Sequence, residues 1–168
     1  FFDAYSEARH IFEQAEDTLH TSLTKQIFEG PENVLKETRQ CQVAIFVTSL
    51  ALLHVLKTKF HLPPPLATGG LSLGEYTALV AAEKLSFDAG LKLVSERSRL
   101  MHEACEKNPG TMAVVLGLSD DTVEEIVSSL RIPSEVSCAN FNCPGQVVIS
   151  GTHKGIEMAK TALAAKGA

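Results

Sequence analysis

The sequence contains no Cys-x-x-Cys pair. Its four cysteines, Cys41, Cys105, Cys138 and Cys143, stand apart, and no histidine pair lies near them at zinc-ligand spacing. No metal and no cofactor is therefore expected. The simplest reading is a reduced, intracellular protein whose thiols pack as small apolar groups. Basic charge is not in excess: the formal net charge is −5 over 168 residues, which argues against a nucleic-acid binder. The N-terminus lacks the basic, then apolar, then small-residue order of a secretory signal. The most apolar run, residues 41–56, is shorter than the ~20 residues a bilayer span requires. It also carries Gln42, Thr48, Ser49 and His54, and reads as a buried core helix. The expected setting is the cytoplasm, or an organelle stroma such as the plastid's in a eukaryote. The expected state is a monomer that meets no membrane and no nucleic acid. The chain begins Phe-Phe-Asp without an initiator methionine and ends directly after a helical pattern, so either end can be a cut.

What is present is an ordinary globular balance, 45% hydrophobic and 21% charged, long enough for one domain or a domain with a small partner. Ala4, Ala8, Ile11, Phe12, Ala15 and Leu19 recur at helical spacing and predict an amphipathic N-terminal helix. Gly30-Pro31 breaks it, and a short helix through about Lys36 follows. A long apolar helix is expected over 40–59, ended by Pro63-Pro64-Pro65. Leu66-Ala67-Thr68 reads as a short strand, and 75–82 as a helix. Ser86 is a plausible N-cap for a helix over 87–107. Asn108-Pro109-Gly110 is a strong breaker, which sets expected subdomains at 1–108 and 109–168. Beyond it come a strand at 111–118 and a helix to Leu130 with acidic residues in its first turn. Strands at 136–141 and 146–150 join through the Asn142-Cys143-Pro144-Gly145 turn, and a last helix covers 153–166. The order βαββα is a ferredoxin-like unit without its final strand.

The most informative stretch is Gly70-Leu71-Ser72-Leu73-Gly74, a G-x-S-x-G pentapeptide between the expected strand and the expected helix. That is the setting of a nucleophile elbow, a strained turn that lifts its apical serine clear of the scaffold. Both glycines would remove side chains where backbone segments approach closely. Ser72 would stand at a helix N-terminus, where free N–H groups and the helix dipole favour developing negative charge. The N–H of Leu73 is the natural oxyanion donor. A base is harder to find. His10, His20, His54, His61, His102 and His153 lie in no recognisable base motif, and structural roles are expected for them. Arg97 sits mid-helix among residues of mixed polarity. It is open to two readings: a solvated face partnered by Glu96 and Arg99, or a planar fork gripping a substrate carboxylate. Residues 140–146, Asn-Phe-Asn-Cys-Pro-Gly-Gln, are adequately explained as a turn.

Taken in order, Gly-Leu-Ser-Leu-Gly-Glu-Tyr-Thr-Ala-Leu-Val-Ala-Ala (70–82), Glu96-Arg97 with Leu100-Met101, Gly110-Thr111-Met112-Ala113 and Asn-Phe-Asn-Cys-Pro-Gly-Gln-Val-Val-Ile (140–149) are specific. The chain resembles the malonyl-CoA:acyl carrier protein transacylase family of type II fatty acid synthesis over nearly its whole length. The resemblance implies an α/β fold: part of an α/β-hydrolase-like acyltransferase subdomain joined to a ferredoxin-like one. It implies that Ser72 is acylated by malonyl-CoA and passes malonate to the phosphopantetheine thiol of acyl carrier protein. It assigns Arg97 to the free malonyl carboxylate, with Leu71, Asn140 and Asn142 as further substrate contacts. Three departures accompany it. Leu71 stands where the family usually has histidine, a form similar to plastid-like and chlamydial-like members. The family's Gly-Gln-Gly-Ser-Gln oxyanion loop would precede this chain, and its Pro-Phe-His-Ser base motif would follow it. The 168 residues alone are accordingly expected to transfer little.

Two alternatives remain at this point. An esterase or thioesterase of the α/β-hydrolase type would explain Ser72 but not Arg97. A non-catalytic acyl-carrier-binding remnant would explain the missing base but not the intact Ser72–Arg97 pair. Any patch for an acidic carrier must be local, drawn from Lys57, Lys59, Arg99 and scattered basic residues.

Overall fold

A computed structural model describes residues 1–35 and 37–168. The chain divides into two compact units, Phe1–Ala104 and Cys105–Ala168.

The described elements of the first unit are all helices: α1 (Ser6–Leu19), α2 (Leu23–Glu29), α3 (Glu32–Leu35), α4 (Thr38–Lys59), α5 (Leu73–Ala81) and most of α6 (Phe87–Lys107). The apolar spacing of α1 does what it predicts, burying Ala8, Ile11, Phe12 and Ala15. Ala4 falls in the turn ahead of the helix. His20 closes α1 in the left-handed conformation (φ 54°), its N–H bonding to the Glu16 carbonyl. Helix α2, a two-turn helix held by buried Leu23, was not expected as a separate element. The end expected for α3 at about Lys36 lies outside the described residues.

Helix α4 forms the centre of this unit. Gln42, Val43, Phe46, Val47, Leu50, Ala51 and Val55 are buried along one stripe. At 22 residues it is longer than its apolar run, and by length and composition alone it could cross a bilayer. Phe46 and Val47 are fully buried, each worth about 1.5–3 kcal/mol relative to exposure. Ser86 caps α6, accepting from the Ala89 N–H at 3.2 Å. Gly90 lets α6 approach its neighbours: a Cβ there would lie 2.8 Å from Val80 of α5 and 2.9 Å from Phe46 of α4.

The expected strand at Leu66-Ala67-Thr68 does not form. Residues 61–70 are irregular and exposed, and Leu66 is fully so. A strand is made by hydrogen bonds to a neighbour, and the unit's other described elements are helices that offer no such edge.

The second unit contains β1 (Thr111–Leu116), α7 (Asp120–Ser129), β2 (Val136–Cys143), β3 (Gln146–Gly151) and α8 (His153–Ala164). The sheet order is β1-β3-β2 with both pairings antiparallel, which is the ferredoxin-like arrangement expected from βαββα. Val115, Val147 and Ile149 face buried Val123 and Val127 of α7 and Ile156, Ala159 and Leu163 of α8. Ser119 and Thr152 cap the two helices, accepting from the N–H groups of Thr122 and Gly155. Strand β2 runs two residues further than expected and is irregular between Cys138 and Asn140 and again between Phe141 and Cys143. Such bulges re-aim side chains.

Candidate active site

Ser72 adopts φ 56°, ψ −111°, a conformation L-residues rarely hold. Backbone strain of this kind costs on the order of 1–3 kcal/mol and survives only where its surroundings over-determine it. Here they do. Gly74 N–H donates to the Leu71 carbonyl at 2.9 Å, and Glu75 N–H to the Ser72 carbonyl at 3.3 Å. Thr68 Oγ1 reaches forward to the Ala78 carbonyl at 3.1 Å, tying the incoming chain to α5. Gly70 lies directly on the turn: a Cβ there would stand 2.1 Å from the carbonyl carbon and oxygen of Gly74. Gly74 is different from expectation. A Cβ on it would meet nothing within 4 Å. Only the first glycine of the motif is demanded by packing within this chain.

The result is an exposed hydroxyl at the head of a nine-residue helix. Leu73 is the first residue of α5, so its N–H has no intrahelical acceptor. Leu71, which precedes the serine in the chain, is exposed.

Arg97 comes to this serine from α6. Counting two turns from Gly90 brings Arg97 to the same helix face. Its Nη2 donates to Ser72 Oγ at 2.6 Å, and its Nη1 donates to Oε1 of Gln42. Its Cζ lies 5.8 Å from the centre of the Tyr76 ring, a cation–π distance. Arg97 thus meets Gln42, Ser72 and the Tyr76 ring, while Glu96, considered as its partner, pairs with Arg99. Arg99 pairs with Glu103 as well. Those carboxylates raise the Arg99 pKa, hydrogen bonding by Glu96 contributing most, and Arg99 in turn holds Glu96 below the usual carboxylate range.

Gln42 is the site residue that sequence reasoning passed over. It is 8% exposed, and its Nε2 donates to Met101 Sδ at 3.4 Å. The signal was available: Gln42, Phe46 and Leu50 share one helix stripe, and a lone amide on a core stripe needs partners.

Asn140 and Asn142 are on β2 in the second unit, where Asn142 Nδ2 donates to Gln146 Oε1 across the turn at 3.1 Å. His20 closes α1 and His153 opens α8. The basic residues considered for a carrier patch are paired: Lys57 with Glu83 and Lys59 with Glu7, as Arg99 is with Glu96 and Glu103. Among the described residues there is no His/Cys/Asp/Glu cluster able to hold a metal.

A strained serine at a helix N-terminus, contacted by an arginine, is an acyl-transfer arrangement. The model of the acyl transferase domain family matches residues 3–168. This chain belongs to that family. A malonyl CoA-acyl carrier protein transacylase of Bacillus subtilis (strain 168) is 39% identical over 168 residues, 99% of this chain and 52% of the relative. One from Staphylococcus aureus (strain COL) is 42% identical over 156 residues, 92% and 49%. Among solved structures, a malonyl-transacylase in complex with a type II PKS acyl-carrier protein superposes with a TM-score of 0.89 at 35% identity, covering 99% of this chain and 53% of that one. The acyl-carrier-protein S-malonyltransferase of Burkholderia pseudomallei gives 0.87 at 36%, with 99% and 54%. The resemblance read from the motifs is thus borne out, as is an incomplete acyltransferase fold. The chain spans about half the length of the curated relatives it matches.

Proposed function

We propose that the protein transfers a malonyl group from malonyl-CoA to the phosphopantetheine thiol of acyl carrier protein. The observation that carries this is the Arg97–Ser72 contact: a guanidinium fork within 2.6 Å of a strained, exposed serine hydroxyl. Ser72 Oγ attacks the thioester carbonyl while a general base takes its proton. In the family the chain resembles, that base is a histidine. The Leu73 N–H stabilises the oxyanion, the carbon–sulfur bond breaks, and coenzyme A leaves as the protonated thiol. The carrier's thiol then attacks the malonyl ester and returns Ser72 to its hydroxyl form. Arg97 takes the distal carboxylate, which an acetyl group lacks. Leu71 borders the acyl group, while Asn140 and Asn142 are assigned to substrate on the family resemblance alone. A cytoplasmic or stromal setting follows the same resemblance.

The test is acylation. Malonyl-CoA incubated with the protein at its full natural length should place one malonyl group on the peptide containing Ser72, read by mass spectrometry. Ser72→Ala should abolish it. Malonylation of the Ser72→Ala protein at a comparable rate would rule the assignment out.

A further inference from the structure

Both oxygens that accept from Arg97 are uncharged: the Gln42 amide and the Ser72 hydroxyl. Two residues along the same helix, Arg99 holds two carboxylates. Arg99 is charge-compensated, whereas Arg97 is oriented without a carboxylate partner among the described residues. We propose that Gln42 is a positioning residue for acyl-group specificity, one that aims Arg97 at the site and leaves its charge for the substrate carboxylate. This rests on the transacylase reading above and adds a residue to it.

The geometry fixes the amide's orientation. A guanidinium has only donors, so the Gln42 oxygen must face Arg97. The amide nitrogen then faces the Met101 thioether, a weak acceptor that suits it. With both ends engaged and the side chain almost wholly buried, Gln42 is a fixed anchor on the central helix of its unit. It pins one Nη of the planar fork, and the Tyr76 ring lies within cation–π reach of the same group. The plane of the guanidinium is thereby set, and the other Nη is left at Ser72 Oγ. An acyl group bonded to that oxygen brings its distal carboxylate into the reach of the same donor.

The chemistry of position 42 follows. A carboxylate there would place a permanent negative charge against Arg97. The substrate carboxylate would then meet a neutralised cation and a like charge beside it. An apolar side chain would leave the fork unpinned. Only a neutral acceptor supplies orientation and keeps the charge.

The experiment compares kcat/KM for malonyl-CoA and acetyl-CoA in the full natural protein and in Gln42→Glu and Gln42→Met. The wild type should prefer malonyl. Gln42→Glu should cut malonyl transfer about 10- to 100-fold, the range expected when a charge-assisted carboxylate bond is lost, and leave acetyl transfer within about threefold. Gln42→Met, similar in volume, should raise KM for malonyl-CoA more than it lowers kcat, again sparing acetyl. Acetyl transfer is the internal folding control: if Gln42→Glu loses both substrates, Gln42→Met decides. If the wild type prefers malonyl and Gln42→Met keeps that preference with unchanged KM, the role of Gln42 is overturned while the transacylase reading stands. If the wild type shows no preference for malonyl, both fall.

Discussion

Gly70→Ala and Gly74→Ala are the same chemical change at the two ends of one pentapeptide, and they should have opposite effects. At Gly70 the new methyl would stand 2.1 Å from two backbone atoms of Gly74 and 2.6 Å from the nitrogen of Glu75. Ordinary carbon contact begins near 3.5 Å, so the turn must open by about 1.4 Å. Backbone atoms cannot rotate aside as a side chain can. The chain ahead of Gly70 is exposed and tied to α5 through Thr68, so the cost falls on the elbow and not on the helical core. Overpacking of this kind costs about 1–3 kcal/mol, a fall in Tm of roughly 2–12 °C for a chain of this length. At Gly74 the methyl meets nothing within 4 Å and sits in the first turn of α5. Replacing glycine by alanine in a helix is worth about 0.5–1 kcal/mol, so Tm should rise by roughly 1–4 °C. Thermal melts by far-UV circular dichroism read both. Acylation of Ser72 should be lost in Gly70→Ala and retained in Gly74→Ala. Equal destabilisation by the two substitutions, or a neutral Gly70→Ala, would refute the reasoning.

Arg97→Ala should lower malonyl transfer about 10- to 150-fold, since charge-assisted bonds to a carboxylate contribute about 1.5–3 kcal/mol, with acetyl transfer held or improved. Arg97→Lys should recover only part of this, because a point charge does not reproduce the fork, and Arg99→Ala should leave the preference intact because its partners are Glu96 and Glu103. Equal slowing of both acyl groups by Arg97→Ala would make that residue structural. Among the thiols, burial and the charge of Glu124 push Cys138 upward, so at a given pH it holds less thiolate than an unperturbed thiol. Iodoacetamide at mildly alkaline pH should therefore modify exposed Cys105 and Cys143 before Cys138, followed by peptide mass spectrometry; Cys138 reacting first would contradict this.

Elements whose burial is one-sided were legible from residue order alone. Helix α6 has the boundaries its Ser86 cap and Asn108-Pro109-Gly110 breaker dictate, and the βαββα order was readable because each apolar run ends in a turn signal. The strand before Ser72 was misread for a different reason. Leu66-Ala67-Thr68 has the composition of a strand, but composition does not supply the neighbour that makes one. Helix α2 was missed because a two-turn segment with Leu23 as its buried residue has too few positions to show a period.

The site was legible to the extent that its residues announce themselves by chemical type. Ser72 did so through its flanking glycines, although Gly74 proved to share the motif without sharing the steric need. Arg97 and Arg99 are identical in type and differ only in register. Gly90 and Val94 are buried, and continuing that stripe at helical spacing reaches Arg97 and then Met101, while Arg99 falls off it. Register on an amphipathic helix, applied to the charged residues as well as the apolar ones, therefore distinguishes the arginine aimed at the serine from the one tied to its own helix. The same argument applied to α4 singles out Gln42. Among Val43, Phe46, Val47 and Leu50 it is the one buried side chain that must find a hydrogen-bond partner, and the partner it finds is Arg97. Ser98, the other buried polar side chain, is satisfied within α6 by the Ser95 carbonyl, so the polar groups that α4 and α6 must partner across their contact are Gln42 and Arg97, and the elbow of α5 supplies the serine at the same point.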